Sequence, residues 1–398
     1  MRAPDGTAGT PTLRRVVTLW PLIFYGLSDI IGAGIYVAIG AVIARAGDAA
    51  PFAFLLAGAA AGLTGLCYAA LASRFPEAAG AASYVKRVFN SDILAQFVGG
   101  VMALSVAITT AAIASGAVQY LATLVHAPAA ALISAIVLCF TAIAVAGVRE
   151  SVGLAVILGL IEIGGLIVAI GAGFLAAPGL DFAAMLPLGA AGWNGMIAGA
   201  FIAFFAFLGF ETMANLAEEV KDARRVLPRA ILGAIGISII LYALVAIAVT
   251  VADRAGDNPL LDLFEGRNAV IFAAASALAI ANGVLVGIVM LARLFYGMAH
   301  NGQLPAALAA VSARTRTPIA ATVLAGGFIL AVALVFPFEH LLVWTNALTL
   351  AVFTIVDLAL WRLQRRTGVA REGFAIPRFV APLAAAASLA LLAAEFFG

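Results

Sequence analysis

The chain has 398 residues, of which 64% are apolar and 11% charged, with a net charge of +2 and a mean hydropathy of +1.13. Soluble globular domains carry about 45–50% apolar and about 25% charged residues, so a water-soluble fold is excluded. A near-neutral chain without a basic stripe also excludes a nucleic-acid partner.

The polar stretch up to Arg15 precedes an apolar run too long for a signal-peptide core, so the run is expected to stay as a first span. Read onward between charged or Pro/Gly-marked breaks, about eleven runs are expected to cross as helices: 17–45, 51–73, 92–123, 128–147, 152–177, 193–217, 228–252, 268–298, 318–336, 340–361 and 377–397. Barrel strands need only about 9–11 residues and alternate in polarity, which these runs do not. The expected class is an all-α integral membrane protein, one transmembrane domain over 1–398.

The connecting segments are strongly asymmetric in charge. With a cytoplasmic N-terminus, all but Arg45, Arg254 and Arg267 of the 22 basic residues fall inside. In loops this short, that bias fixes orientation, and an odd number of spans puts the C-terminus outside.

Two runs carry glycine interruptions at corresponding places: Gly32-Ala33-Gly34 in the first, and Phe207-Leu208-Gly209-Phe210-Glu211 in the sixth. They lie five helices apart, so the second group of five should be inverted relative to the first. The repeats would span about 17–177 and about 193–362, leaving 377–397 as an additional helix. Such paired interruptions point to a solute site near the bilayer midplane.

The physical reason is hydrogen bonding. An intact helix in lipid satisfies its main chain internally and offers a ligand nothing. Unwinding frees N–H groups suited to a carboxylate and carbonyls suited to an ammonium or a metal cation. An amino acid carries both charges, so Ile30, Ile31, Gly32, Ala33, Gly34, Ile35, Phe207, Leu208 and Gly209 are the expected substrate-binding stretch. Glycine also serves merely to let helices touch, but two matched interruptions weigh against that.

Ionisable groups inside spans cost about 2.5–3.5 kcal/mol on insertion scales and need a reason. Glu211 stands where the second half of helix 6 should begin and could cap freed N–H groups. Asp29 adjoins the first interruption and Glu162 lies mid-way along the fifth run. If these two approach, they could share one proton and couple or gate uptake. Asp29 could instead attract a cationic side chain or a polyamine. Asn282 in the eighth run could face a neighbouring helix or the solute. Asp357, close to Trp361 and Arg362, is expected to pair locally.

No metal or other cofactor is expected. Cys67 and Cys139 lie singly inside apolar runs, and His126, His300 and His340 are scattered at span ends. No phosphate-cradling loop and no convergent nucleophile and base occur, so neither an ATP-driven pump nor an enzyme is expected. A channel is the remaining option of another class.

The run Ile30-Ile31-Gly32-Ala33-Gly34-Ile35-Tyr36 resembles the first-helix signature of the amino acid/polyamine/organocation (APC) transporter superfamily. Phe75-Pro76-Glu77-Ala78-Ala79-Gly80 with Tyr84 is similar to its loop between helices 2 and 3. Phe204 to Glu211, on through Ala217-Glu218-Glu219-Val220-Lys221 to Leu227-Pro228-Arg229, is similar to its helix 6 and following loop. Arg293, Tyr296-Gly297-Met298-Ala299 and Gly302-Gln303-Leu304-Pro305 resemble the end of helix 8, and Arg314-Thr315-Arg316-Thr317-Pro318 the entry to helix 9.

The resemblance implies a five-plus-five core with helices 1 and 6 broken around the substrate, alternating access by rocking, and Phe205 closing over the bound solute. At the place of Glu162, some relatives carry a lysine that reaches the unwound part of helix 1. Two features depart from the pattern. Most relatives have twelve helices, and the usual Asn-Pro after Lys221 is Asp222-Ala223 here. The implied activity is secondary transport of amino acids across the cytoplasmic membrane, with a polyamine or cationic amino acid exchanger as the alternative. The expected partners are a small-molecule substrate and membrane lipid.

Overall fold

The computed structural model describes residues 17–31, 34–76, 80–146, 148–177, 179, 185–187, 189–217, 219–254, 256, 258–300, 302, 304–315, 317–366 and 373–397. Among them the chain is all helical: α1 Leu19–Ile31, α2 Gly34–Ala46, α3 Ala50–Arg74, α4 Gly80–Phe89, α5 Asp92–Leu121, α6 Ala129–Ala146, α7 Val148–Ala176, α8 Gly189–Ala203, α9 Ala223–Val251, α10 Gly266–His300, α11 Ile319–Val335, α12 Phe338–Arg365 and α13 Val380–Phe397. Nine stretches among the described residues are long and apolar enough to cross a membrane, one of them running Gly34–Arg74 through both α2 and α3. Leu19–Ile31 and Ile319–Val335 are shorter apolar helices. Taking α1 and α2 as halves of one crossing gives about eleven, the number the hydropathy pattern predicts. The protein is a multi-pass membrane protein.

Helix ends follow from local chemistry. The Ser91 side chain accepts from the Leu94 N–H at 3.2 Å and Asp92 occupies the first turn, so α5 starts with a cap and a favourable charge. Pro51 sits in the first turn of α3, where its missing N–H costs nothing. Helix α12 carries Glu339 in its first turn and Arg362 and Arg365 in its last, complementing its dipole at both ends.

The 10-residue α4 occupies what the sequence pattern leaves as a loop. It buries Gly80, Ala81, Tyr84, Val85 and Val88 and exposes Lys86 and Arg87. It escapes detection as an apolar run because it is amphipathic and too short to span.

Helix α3 packs on α9, α5 on α10, and α12 on α13. Polar side chains tie some of these layers together: Ser105 and Thr349 hydroxyls meet at 2.7 Å, Thr109 donates to Thr345 at 3.4 Å, and Asn346 Nδ2 donates to the Phe201 carbonyl at 2.7 Å. Bonds of this kind average about 0.6 kcal/mol in a membrane bundle. Asp357 does not pair with Arg362. It is fully buried and accepts from the Thr64 hydroxyl of α3 at 3.1 Å, while Arg362 lies over the Phe89 ring. The neighbour one turn along α12 points elsewhere, and the acid finds its donor across the helix interface. Nearby, Tyr68 stands edge-on to Tyr84, Phe210 and Phe353 at 6.1, 5.7 and 5.4 Å between ring centres, a packed aromatic cluster beneath the second interruption.

Candidate solute site between the first and sixth spans

Helix α8 stops at Ala203. A 3-10 turn over Phe204–Phe207 follows, then Leu208 with extended backbone, Gly209 at φ +119°, and a second 3-10 stretch over Phe210–Leu216. A positive φ of that size is open to glycine and costly to other residues. In the first span the described residues are helical over Leu19–Ile31 and again over Gly34–Ala46. Gly32 and Ala33, both expected site residues, lie outside the described residues.

The first and sixth spans meet main chain to main chain beside the sixth span's interruption. A Cβ on Gly34 would stand 2.5 Å from the Ala206 Cα and 2.9 Å from its carbonyl oxygen. One on Gly209 would stand 2.9 Å from the carbonyl carbon and oxygen of Asp29. Only glycine permits either approach.

Polar main-chain groups at these contacts have side-chain and main-chain partners. The Tyr242 hydroxyl of α9 lies 2.8 Å from the Ile30 carbonyl and 2.9 Å from that of Ala206, so one proton serves an acceptor on each of the two spans. The Gly209 N–H donates to Glu211 Oε2 at 3.0 Å. The Gly209 carbonyl accepts from the Thr212 N–H at 3.1 Å and from its hydroxyl at 2.7 Å. That same hydroxyl reaches Asp29 Oδ2, binding the second interruption to the flank of the first. Each group left unsatisfied in hydrocarbon would cost several kcal/mol, and these side chains are what make the interruptions tolerable.

Beside this junction lies a cavity of about 100 Å³, several times the roughly 10–15 Å³ that admits one water. Among the expected residues, Asp29, Ile30, Gly34, Phe205, Leu208, Gly209, Glu211 and Asn282 line it. Ile31, Ile35 and Phe207 do not. All three are fully buried in the core, Phe207 edge-on to Tyr242 at 5.0 Å. Two acids face the cavity and no described lysine or arginine lines it.

Glu162 stands behind the first span rather than in the cavity. On α7 it falls between Gly159, which abuts Ser28, and Gly165, which abuts Tyr36, so all three share one helix face. The Glu162 carbonyl accepts from the Tyr36 hydroxyl at 2.6 Å. Its carboxyl is fully buried, and neither oxygen has a hydrogen-bond partner among the described residues. Asp29 is an electrostatic neighbour, but the two carboxyls do not hydrogen-bond each other. No group of three or more His, Cys, Asp or Glu suited to a metal occurs among the described residues.

The sequence pattern of the amino acid permease family matches residues 17–398. The chain belongs to that family. Among its relatives, the methylthioribose transporter of Bacillus subtilis (strain 168) is 30% identical over 92% of this chain and 85% of its own length. The vacuolar cationic amino acid transporter 4 of Arabidopsis thaliana is 30% identical over 87% of this chain, which spans 63% of that protein. The branched-chain amino acid permease BcaP of Bacillus subtilis (strain 168) is 25% identical over 93% and 85%. These relatives are transporters of small molecules, not enzymes.

The permease's cavity also holds residues that the sequence pattern does not single out. Ser28, Met102, Ser105, Thr109, Thr212, Met290 and Thr349 line the cavity as well. Ser105 and Thr109 on α5 face Thr349 and Thr345 on α12, each pair four residues apart. Two hydroxyl stripes at helical spacing in otherwise apolar runs are a signal that could have marked them. Tyr242 gives no such signal, since a lone tyrosine in an apolar helix has the look of any core aromatic.

Proposed function

We propose that this permease carries an amino acid across the cytoplasmic membrane by alternating access, as a secondary active transporter. The N-terminus is cytoplasmic, the C-terminus outside, and spans 1–5 and 6–10 form inverted repeats. The observation that carries the reading is the close main-chain contact of the first and sixth spans, at Gly34–Ala206 and Gly209–Asp29, beside a cavity lined by both. A zwitterion bound there takes over hydrogen bonds that Tyr242, Glu211 and Thr212 now make. Ile30, Gly34, Phe205, Leu208, Gly209 and Asn282 are its surroundings, with Gly32 and Ala33 between the halves of the first span. Relatives named for branched-chain and cationic amino acids support this substrate class.

Coupling to protons runs through Asp29, Glu162 and Glu211, the acids grouped around the junction. Glu162 is the one whose hydrogen bonding is unfinished in this conformation, and a proton or cation exchanged there is what links solute binding to rocking.

A second reading, a cationic amino acid or polyamine exchanger, is favoured by one feature: Asp29 lines the cavity and no described basic residue faces it. A thermal-shift screen of the purified protein against all amino acids and common polyamines separates the readings. Liposome uptake of the hits follows, with and without a proton gradient. Saturable, stereoselective counterflow is expected of a carrier, and its absence would favour a channel. Competition by arginine or putrescine that disappears in Asp29→Asn would favour the second reading.

A further inference from the structure

Far from the solute cavity, where the end of α12 meets the end of α4, a second cavity of about 570 Å³ is lined by Phe89, Leu358, Trp361, Arg362, Arg365 and Arg366. Three arginines converge there without a carboxylate partner among the described residues. Arg362 lies 4.9 Å over the Phe89 ring and Arg365 5.1 Å over the Trp361 ring, while Arg366 Nη2 donates to the Val88 carbonyl at 2.8 Å. Arg366 is thus explained by the end of α4, whose last carbonyls need donors. Arg362 and Arg365 are not. Their guanidinium groups are exposed and held against rings, which leaves their planar forks open to an anion.

The polarity along this face of α12 says which anion. Leu358, Trp361 or Arg362, and Arg365 or Arg366 fall at helical spacing on one side, so the wall runs from apolar to cationic over about 12 Å. Leu358 and Trp361 are each 37% exposed, with the tryptophan between the aliphatic and the charged levels, where indoles sit at a bilayer surface. Acyl chain, glycerol region and phosphate follow in that order in a phospholipid.

We propose that this cavity is a binding site for the head group of an anionic phospholipid, its phosphate between Arg362 and Arg365 and an acyl chain along Leu358 and Trp361. The shared chemistry with free phosphate is the bidentate contact to arginine. The apolar wall is what selects the lipid.

Vesicles of brominated phosphatidylglycerol or brominated phosphatidylcholine, holding the wild-type protein, test this by quenching of tryptophan fluorescence. Phosphatidylglycerol is expected to quench more strongly than phosphatidylcholine, and Trp361→Phe to remove the excess. R362Q/R365Q, which keeps Arg366 on Val88, is expected to weaken the preference roughly 30-fold, at the energy typical of two basic residues near a membrane surface. K221Q/R229Q, which removes two basic residues elsewhere, is expected to leave it unchanged. Equal quenching by the two lipids would overturn the proposal. So would a preference that survives R362Q/R365Q, one lost equally in K221Q/R229Q, or displacement of the lipid by millimolar inorganic phosphate.

Discussion

The first span has two differently built sides. Toward the cavity, Glu211 accepts a main-chain N–H, Asp29 accepts from Thr212, and Tyr242 joins carbonyls of the first and sixth spans. Toward α7, Glu162 is fully buried with neither carboxyl oxygen partnered among the described residues. A carboxyl supplied with donors is a fixed part of the scaffold, whereas one without them is poised to gain a partner when the helices move. Within the coupling proposed for Asp29, Glu162 and Glu211, the contrast makes Glu162 the first residue to test.

Breaking the junction itself should have the largest effect. Gly209→Val places a branched side chain at φ +119° against the Asp29 carbonyl. The strain and overpacking are worth roughly 2–5 kcal/mol, and liposome uptake is expected to vanish while a Gly62→Ala control, at a site with open space, transports normally. Next comes Glu162→Gln. Uptake driven by an imposed pH gradient should fall to the level seen without one, about tenfold, with counterflow preserved. Full gradient dependence in that variant would remove Glu162 from coupling.

Tyr242→Phe tests the cavity side. It deletes the one donor shared by Ile30 and Ala206, at about 1–3 kcal/mol, and should lower thermal stability and slow counterflow several-fold without touching gradient dependence. A loss of gradient dependence in Tyr242→Phe would erase the distinction between the two sides. The smallest change is expected for Thr349→Val. It removes the Ser105 contact at about 0.6 kcal/mol and should shift the unfolding temperature by about 1 °C.

Spans were legible because apolar runs of about 20 residues can hardly be anything else in a chain this poor in charge. The interruption in the sixth span was legible because Gly209 is a glycine for a steric reason, and Gly34 in the first span meets the same kind of close main-chain approach. Which neighbours reach the cavity was not. Successive helical residues diverge by about 100°, so Ile30 lines it while Ile31 turns into the core, and only tertiary packing decides. Tyr242 and Thr212 act through contacts to residues more than 180 positions away in Thr212's case and 212 in Tyr242's, a separation no local pattern reports. Helix α4 and the arginine cavity were hidden because amphipathic segments at the interface show no apolar run.

Blocked substrate analogues test most directly whether a zwitterion completes the main-chain groups at the junction. Taking the best amino acid from the thermal-shift screen, its methyl ester and its N-acetyl derivative should each compete for uptake about 100-fold less well than the parent, since each loses charge-assisted hydrogen bonds of about 1.5–3 kcal/mol apiece. Analogues that compete as well as the free amino acid would show that the solute is not held by its carboxylate and ammonium, and the proposed site would be wrong.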